Sequence, residues 1–303
     1  MTAAPVESIR DIEAAIAEIA FRMVDDPIDG ATIPAADAAR LAAQAGAAST
    51  SDLALLALPV ARQLSNPQIS SYRVAAVGIE AETGDLLLGG NLEFPGTELA
   101  TTVHAEGFVA LRARRRGHTI ATLALPSAHP CAHCRQVLSE SAAADGLLLI
   151  DTEGNRLRLD DLYPWPFRPS ALGMDGDVAG RVAWSSLHVV GDVPADAPVD
   201  LLLDAGSRAH APYSGAPSAA VLLACDGRVV SAWAMESVAF NPSISALQAA
   251  LVELVAAGIA PSDIREGWLG CAAGGRIDPE PGFRLLLGAV APEARVGAVR
   301  WST

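Results

Sequence analysis

Aromatic residues are scarce, 5% of the 303 residues, although apolar residues reach 51%. Any core must therefore be built mainly of Ala, Leu and Val. Positive charge is short as well: 21 Lys and Arg against 35 Asp and Glu leave a formal net charge of −14. Such a surface repels polynucleotide phosphates, which argues against non-specific nucleic-acid binding. No stretch approaches the ~20 apolar residues that span a bilayer, and Met1–Arg10 lacks the basic-then-apolar order of a secretion signal. Only four cysteines occur, Cys131, Cys134, Cys225 and Cys271, and nothing in their spacing suggests a disulfide framework. A soluble protein in a reducing, cytoplasmic setting is expected. Cys225 and Cys271 sit in apolar surroundings and read as buried free thiols.

Against these absences stands one dense window, His104-Ala105-Glu106 followed by Pro130-Cys131-Ala132-His133-Cys134. One histidine and two cysteines make three zinc ligands. Three protein ligands leave a tetrahedral Zn²⁺ one open position, the layout of a catalytic site; a structural site is closed by a fourth side chain. Glu106, two residues from the histidine, is a carboxylate free to move protons. The window predicts attack by zinc-activated water with Glu106 as proton shuttle. Pro130 fits the start of a helix carrying the cysteines, and the positive end of that helix favours thiolates. A redox CxxC would not explain the His-x-Glu, and a zinc ribbon would need a second CxxC. His133 points away from the cysteines, His129 is expected to act through its backbone, and His118, His188 and His210 read as structural.

Periodicity sets the context of this window. Residues 1–65 read as helical, with helices over Ser8–Ala20, Ala35–Ala48 and Asp52–Leu64, the last broken near Pro59. Strands are predicted over Arg73–Ile79, Leu86–Leu88 and Thr119–Leu125. Helices are predicted around Glu106 and from Cys131. The order β-β-α-β-α implies a mixed sheet with helices packed on it. The cluster Arg112, Arg114, Arg115 and Arg116 reads as a solvated helix end. The second half looks like a faded copy of the first at a constant offset. That offset sets Ala76 on Ala220, His104 on Gln248 and Glu106 on Ala250, with no Cys pair near position 275.

The signature His-x-Glu…Pro-Cys-x-x-Cys is that of zinc deaminases. The wider chain resembles the larger, homodimeric type of cytidine deaminase through Gly90-Asn-Leu-Glu-Phe94, Thr102-Val-His-Ala-Glu106, Pro130-Cys-Ala-His-Cys-Arg-Gln136, Tyr213-Ser214 and Ala239-Phe-Asn-Pro242. The resemblance implies a duplicated α/β fold, a three-layer α/β/α cytidine-deaminase-like sandwich with a helical extension. An N-terminal helical segment would span 1–50, a catalytic domain 51–155, a connector 156–192 and a zinc-free copy 193–303. The implied reaction is hydrolysis of cytidine and deoxycytidine to uridine and deoxyuridine with release of ammonia, as in pyrimidine salvage. One Zn²⁺ per chain would be held by His104, Cys131 and Cys134, with Glu106 catalytic. Asn91 and Glu93 would bind the ribose 3′-hydroxyl, and Ala105 would offer its N–H to the pyrimidine carbonyl. Tyr72 stands near the base where the family has Phe. Phe167 would stack on the base across a homodimer, and Val238 and Ala239 would close the partner's sugar pocket. Ser127-Ala128-His129 departs from the family pattern and opens room at the pocket edge. A modified cytosine nucleoside is therefore an alternative substrate; a zinc-stabilised binding protein without turnover is an alternative of another class. Neither a polynucleotide nor a membrane is an expected partner.

Overall fold

The structure, a computed structural model, describes residues 8–127, 129–143, 146–174 and 184–303. The chain divides into two compact units. One holds Met1–Glu93, Thr102–Pro166 and Ala256–Gly258; the other holds Phe94–Thr101, Phe167–Val255 and Ile259–Thr303.

The first unit opens with α1 (Ile9–Ala20), whose Ser8 side chain caps the N–H of Asp11. After β1 (Thr32–Ile33) comes α2 (Ala35–Ala45). This helix stops short of the expected Ala48 because Gly46 takes a left-handed conformation, φ 66°, and closes it. The segment from 50 breaks near Pro59 as the sequence predicts, into α3 (Thr50–Leu56) and α4 (Leu58–Ala61). There follow β2 (Ala75–Glu80), β3 (Leu86–Gly90), α5 (Ala105–Arg115), β4 (Ile120–Leu125), α6 (Ala132–Ser139), β5 (Leu148–Asp151), β6 (Arg156–Arg158) and α7 (Leu159–Leu162). The expectation of an all-helical stretch to residue 65 needs one correction: β1 pairs antiparallel with β3 and forms the edge of the sheet. The sheet order is β1-β3-β2-β4-β5-β6, antiparallel except for the parallel pair β4 and β5.

Glycines show how this sheet is covered on both faces. A Cβ at Gly78 or Gly89 would collide with Val109 of α5, whereas one at Gly90 would meet Leu64 and Ser65, just after α4. Successive strand residues face opposite sides. Helices therefore lie on both faces, which gives three layers.

The arginine cluster at the end of α5 is not a solvated face. Arg112 is fully buried and donates to the carbonyls of Ile28 (2.7 Å) and Ala31 (3.4 Å). Arg114 donates to the carbonyl of Glu140, and Arg116 pairs with Glu80 and Asp85, both at 2.7 Å. The carbonyls and carboxylates that receive these side chains are distant in sequence, so local charge patterning could not reveal them.

The second unit contains β7 (His188–Val190), α8 (Val199–Ser207), β8 (Ser218–Ala224), β9 (Val229–Trp233), α9 (Ala246–Ala256), β10 (Ile264–Ala272), α10 (Glu280–Val290) and β11 (Arg295–Ser302). Its sheet runs β7-β11-β10-β8-β9, with β10 and β11 parallel. The order β3-β2-β4-β5 of the first sheet thus recurs as β9-β8-β10-β11, each with one parallel pair in the same place. Trp268, Trp301 and Val299 pack against Leu202 and Ala205 of α8 on one face, while Gly267 lies against Leu287 of α10 on the other. Cys271 is buried, but Cys225 is exposed: it sits in the turn between β8 and β9 rather than in the core. Among the described residues no helix is long and apolar enough to cross a membrane.

Candidate metal centre and substrate pocket

Two helix starts bring the metal window together. His104 is the extended residue preceding α5, at φ −77° and ψ 156°, and Cys131 holds the same place before α6. Cys134 lies in the first turn of α6. His104 Nδ1 stands 3.6 Å from Cys131 Sγ and 3.4 Å from Cys134 Sγ, and the two sulfurs are 3.6 Å apart. A tetrahedral Zn²⁺ with ordinary bond lengths would set sulfur–sulfur edges of about 3.8 Å and nitrogen–sulfur edges of about 3.5 Å. The triangle therefore fits zinc. Among the described residues these three form the one such group of metal-binding side chains, and no fourth joins them.

The charges at this cluster are coupled. Hydrogen bonds from Cys134 and His104 pull the Cys131 thiol down to about 3. Cys134 moves the other way, because it hydrogen-bonds to the Cys131 sulfur and is buried. His104 is raised, chiefly by its hydrogen bond to Cys131. A bound divalent cation favours thiolates at both positions.

Glu106 is buried beside this cluster, 6% exposed, and its carboxylate hydrogen-bonds to the Cys134 thiol. Burial raises its carboxyl above the usual range, against the pull of its own N–H and of His104. Ala105 is fully buried as the first residue of α5, where a backbone N–H has no partner within the helix.

Asn91 and Glu93 follow β3 and reach the same loop, residues 66–74. The Asn91 amide accepts from Val74 N–H and donates to the Tyr72 carbonyl, both at 2.9 Å. Glu93 Oε2 accepts the N–H groups of Ile69 (2.8 Å) and Ser70 (2.7 Å), and Oε1 accepts the Ser70 hydroxyl. Desolvation pushes the Glu93 carboxyl up, but these three donors outweigh it and hold the group low. Its charge is felt at His104. The Tyr72 side chain is exposed. Phe167, exposed, and Val238, buried, belong to the second unit together with Ala239. Ala128 lies outside the described residues; Ser127 and His129 beside it are exposed.

Residue-by-residue reading of the sequence misses two supports. The Ile69–Ser70 cradle of Glu93 is one. The other is Arg135, which donates to the carbonyls of Pro130 (2.8 Å) and Leu162 (3.0 Å) and straps the turn that presents Cys131. Glu80, bonded to His118 at 2.9 Å, supplies the partner that the sequence does not reveal for that histidine.

Two models of the cytidine and deoxycytidylate deaminase zinc-binding region match, one over residues 48–148 and the other over 159–272. The chain belongs to this deaminase family. Its relatives include cytidine deaminase 1 of Arabidopsis thaliana, 35% identical over 65% of this chain and 73% of that protein. Cytidine deaminase of Photobacterium profundum is 34% identical over 72% of each chain. Among solved structures, cytidine deaminase from Mycobacterium leprae aligns over 38% of this chain and 97% of that one, at 22% identity and a TM-score of 0.34. The first family match contains His104, Glu106, Cys131 and Cys134, so the metal of this deaminase is zinc.

The second family match is a copy of the fold without these ligands. The constant offset expected from the sequence needs correction here. It aligns β2 with β8 and β4 with β10, but it carries Ala105, the start of α5, onto Ala249, whereas α9 already begins at Ala246. His104 therefore corresponds to Ser245, not Gln248, and Glu106 to Leu247, not Ala250. The cause is a shorter loop: Leu92 bridges Val103 in the first unit, and Met235 bridges the nearer Ile244 in the second. Ser245 and Gln248 cap α9 reciprocally, Gln248 N–H to Ser245 Oγ and Ser245 N–H to Gln248 Oε1.

Proposed function

We propose that this deaminase hydrolyses cytidine and deoxycytidine to uridine and deoxyuridine, releasing ammonia. The observation that carries the reading is a buried carboxylate, Glu106, placed against a His/Cys/Cys triangle of zinc-binding dimensions. The names of the relatives support the substrate class. Zinc bound at the triangle supplies Lewis acidity that makes water a nucleophile at neutral pH. Glu106 takes one proton from the attacking water and delivers it to ring N3. It then moves the second proton of that water, now on the oxygen at C4, to the amine as the C4–N bond breaks, leaving the C4 carbonyl and ammonia. Its burial suits it to hold a proton between these transfers. Ala105 N–H anchors the base carbonyl. Glu93, fixed by Ile69 and Ser70, grips the ribose 3′-hydroxyl, and Asn91 assists while it holds the Tyr72–Val74 loop in place.

In this reading residues 51–155 carry the chemistry and 193–303 form the zinc-free copy. The protein works as a homodimer in which Phe167, Val238 and Ala239 complete the partner's site. A reducing cytoplasm suits it, because both cysteine ligands must stay reduced.

Replacing Glu106 by Gln tests the mechanism. Zinc per chain, measured by elemental analysis, stays near one. Turnover, followed as loss of ultraviolet absorbance on cytidine, falls by about 10²–10⁴-fold. Unchanged turnover would refute the role of Glu106.

A further inference from the structure

The second unit carries a half-open cavity of about 570 Å³, within the range of small-molecule sites. It lies where the first unit has its metal centre. Ser245, before α9, stands where His104 precedes α5; Pro279, before α10, stands where Cys131 precedes α6; both line the cavity. Glu236 lines it as well.

Glu236 repeats the arrangement of Glu93 in detail. Its Oε2 accepts the N–H groups of Tyr213 (2.9 Å) and Ser214 (3.1 Å), as Glu93 Oε2 accepts those of Ile69 and Ser70. Ala216 N–H then bonds to Ser214 Oγ at 3.0 Å, as Tyr72 N–H bonds to Ser70 Oγ at 3.0 Å. Between them Gly215 and Ser71 both adopt positive φ, 67° and 58°. The metal ligands and the shuttle have gone, but the carboxylate of the sugar grip remains, held in the same way.

We infer that this cavity binds a nucleoside without turning it over, and that the ligand is the deaminated product, uridine or deoxyuridine. The carboxylate of Glu236 accepts a sugar hydroxyl. Tyr213 and Phe240, with ring centroids 6.3 Å apart, offer aromatic surface on which a base can stack. The base assignment comes from the charges. Leu247 replaces the carboxylate that would meet an amino group at C4. Arg276, in the loop before α10, lines the cavity and has only donors to offer. Donors suit the O4 carbonyl of uracil and not the amine of cytosine. The choice of uridine rests on the deaminase reading; the sugar grip and the cavity do not. Product held here would let the enzyme register uridine without blocking the catalytic pocket.

Equilibrium dialysis of the zinc-loaded full chain against radiolabelled uridine tests the inference. Two uridines per chain are expected at saturation. E236Q, which keeps the size of the side chain, weakens one of the two sites at least tenfold. R276A, a change at an exposed side chain where folding is not at stake, weakens the same site, and E93Q leaves it intact. Saturation at one uridine per chain, lost in E93Q, would overturn the proposal. So would a second uridine that survives both E236Q and R276A. Repeated with cytidine in the E106Q background, equal affinity of the two nucleosides for the second cavity would overturn the base assignment. Cytidine turnover on the same preparation separates the two readings. Two uridines with no turnover would sink the deaminase reading and keep the cavity; turnover with one uridine would do the reverse.

Discussion

A single buried cation shows how residue chemistry outruns sequence pattern in this protein. Arg112 lies in a basic run that reads as solvent-facing, yet its guanidinium is fully enclosed and satisfies the carbonyls of Ile28 and Ala31. Replacing it by Met would leave the Ile28 carbonyl without its donor, whereas the Ala31 carbonyl keeps the N–H of Leu88 at 3.0 Å. An unsatisfied buried group costs about 1–3 kcal/mol. R112M is therefore expected to lower unfolding stability by about 1–3 kcal/mol, read as a shift in urea midpoint with unchanged slope. A loss no larger than that of an ordinary surface substitution, about 0.5 kcal/mol, would mean the buried guanidinium contributes nothing net. The metal centre, by contrast, is legible at this scale from the chain alone. His104, Cys131, Cys134 and Glu106 are recognisable because metal chemistry restricts residue type and spacing together. The Ile69–Ser70 cradle is not, because a main-chain N–H carries no residue-type signal.

At the scale of elements, the site depends on how α5 seats on the sheet. A Cβ at Gly89 would lie 2.9 Å from the Ala105 carbonyl and 2.8 Å from Val109 Cγ2. Ala105 directly follows the ligand His104, so relief of this clash must move the first turn of α5. G89A is expected to destabilise by about 1–3 kcal/mol, the usual cost of overpacking. It should also lower kcat/KM for cytidine more than tenfold; full activity would show that the helix start is not so constrained. The turn between β5 and β6 predicts a pH effect. Desolvation raises the Asp151 carboxyl, but the side chain and N–H of Asn155 and the N–H of Glu153 outweigh it, and the net shift is downward. A depressed carboxyl stabilises the fold above its unfolded value of about 3.9, and that stability is lost as pH falls through the folded value. D151N should therefore be less stable than the parent at pH 7 and converge with it as pH falls through the depressed folded value. Parallel stability curves across that range would contradict the assignment.

For the whole molecule, duplication is the organising fact: one strand order occurs twice, once with zinc ligands and once without. If Phe167 serves the partner's pocket, two inactive variants can repair one another. E106Q and F167A chains, mixed and allowed to exchange, should form heterodimers with one intact site each. Random pairing then restores about a quarter of the parental turnover. No restoration, with exchange verified by mass-tagged subunits, would place Phe167 in its own chain's site or in none.

The zinc, the carboxylate beside its ligand group and the existence of a second copy are readable from the chain alone, because ligand chemistry and hydrophobic periodicity are local properties. Folding settles what depends on distant partners. The arginine cluster becomes internal because Glu80, Asp85 and the 28–31 carbonyls lie on elements far from α5 in the chain. Thr32–Ile33 becomes a strand because β3 offers it an edge. The true counterparts of His104 and Glu106 in the second copy emerge only from helix starts, since a shorter loop shifts the register where a constant offset cannot follow. The carboxylate cradle of Glu236 is invisible in sequence for the same reason as that of Glu93: its donors are backbone groups, which every residue but proline possesses.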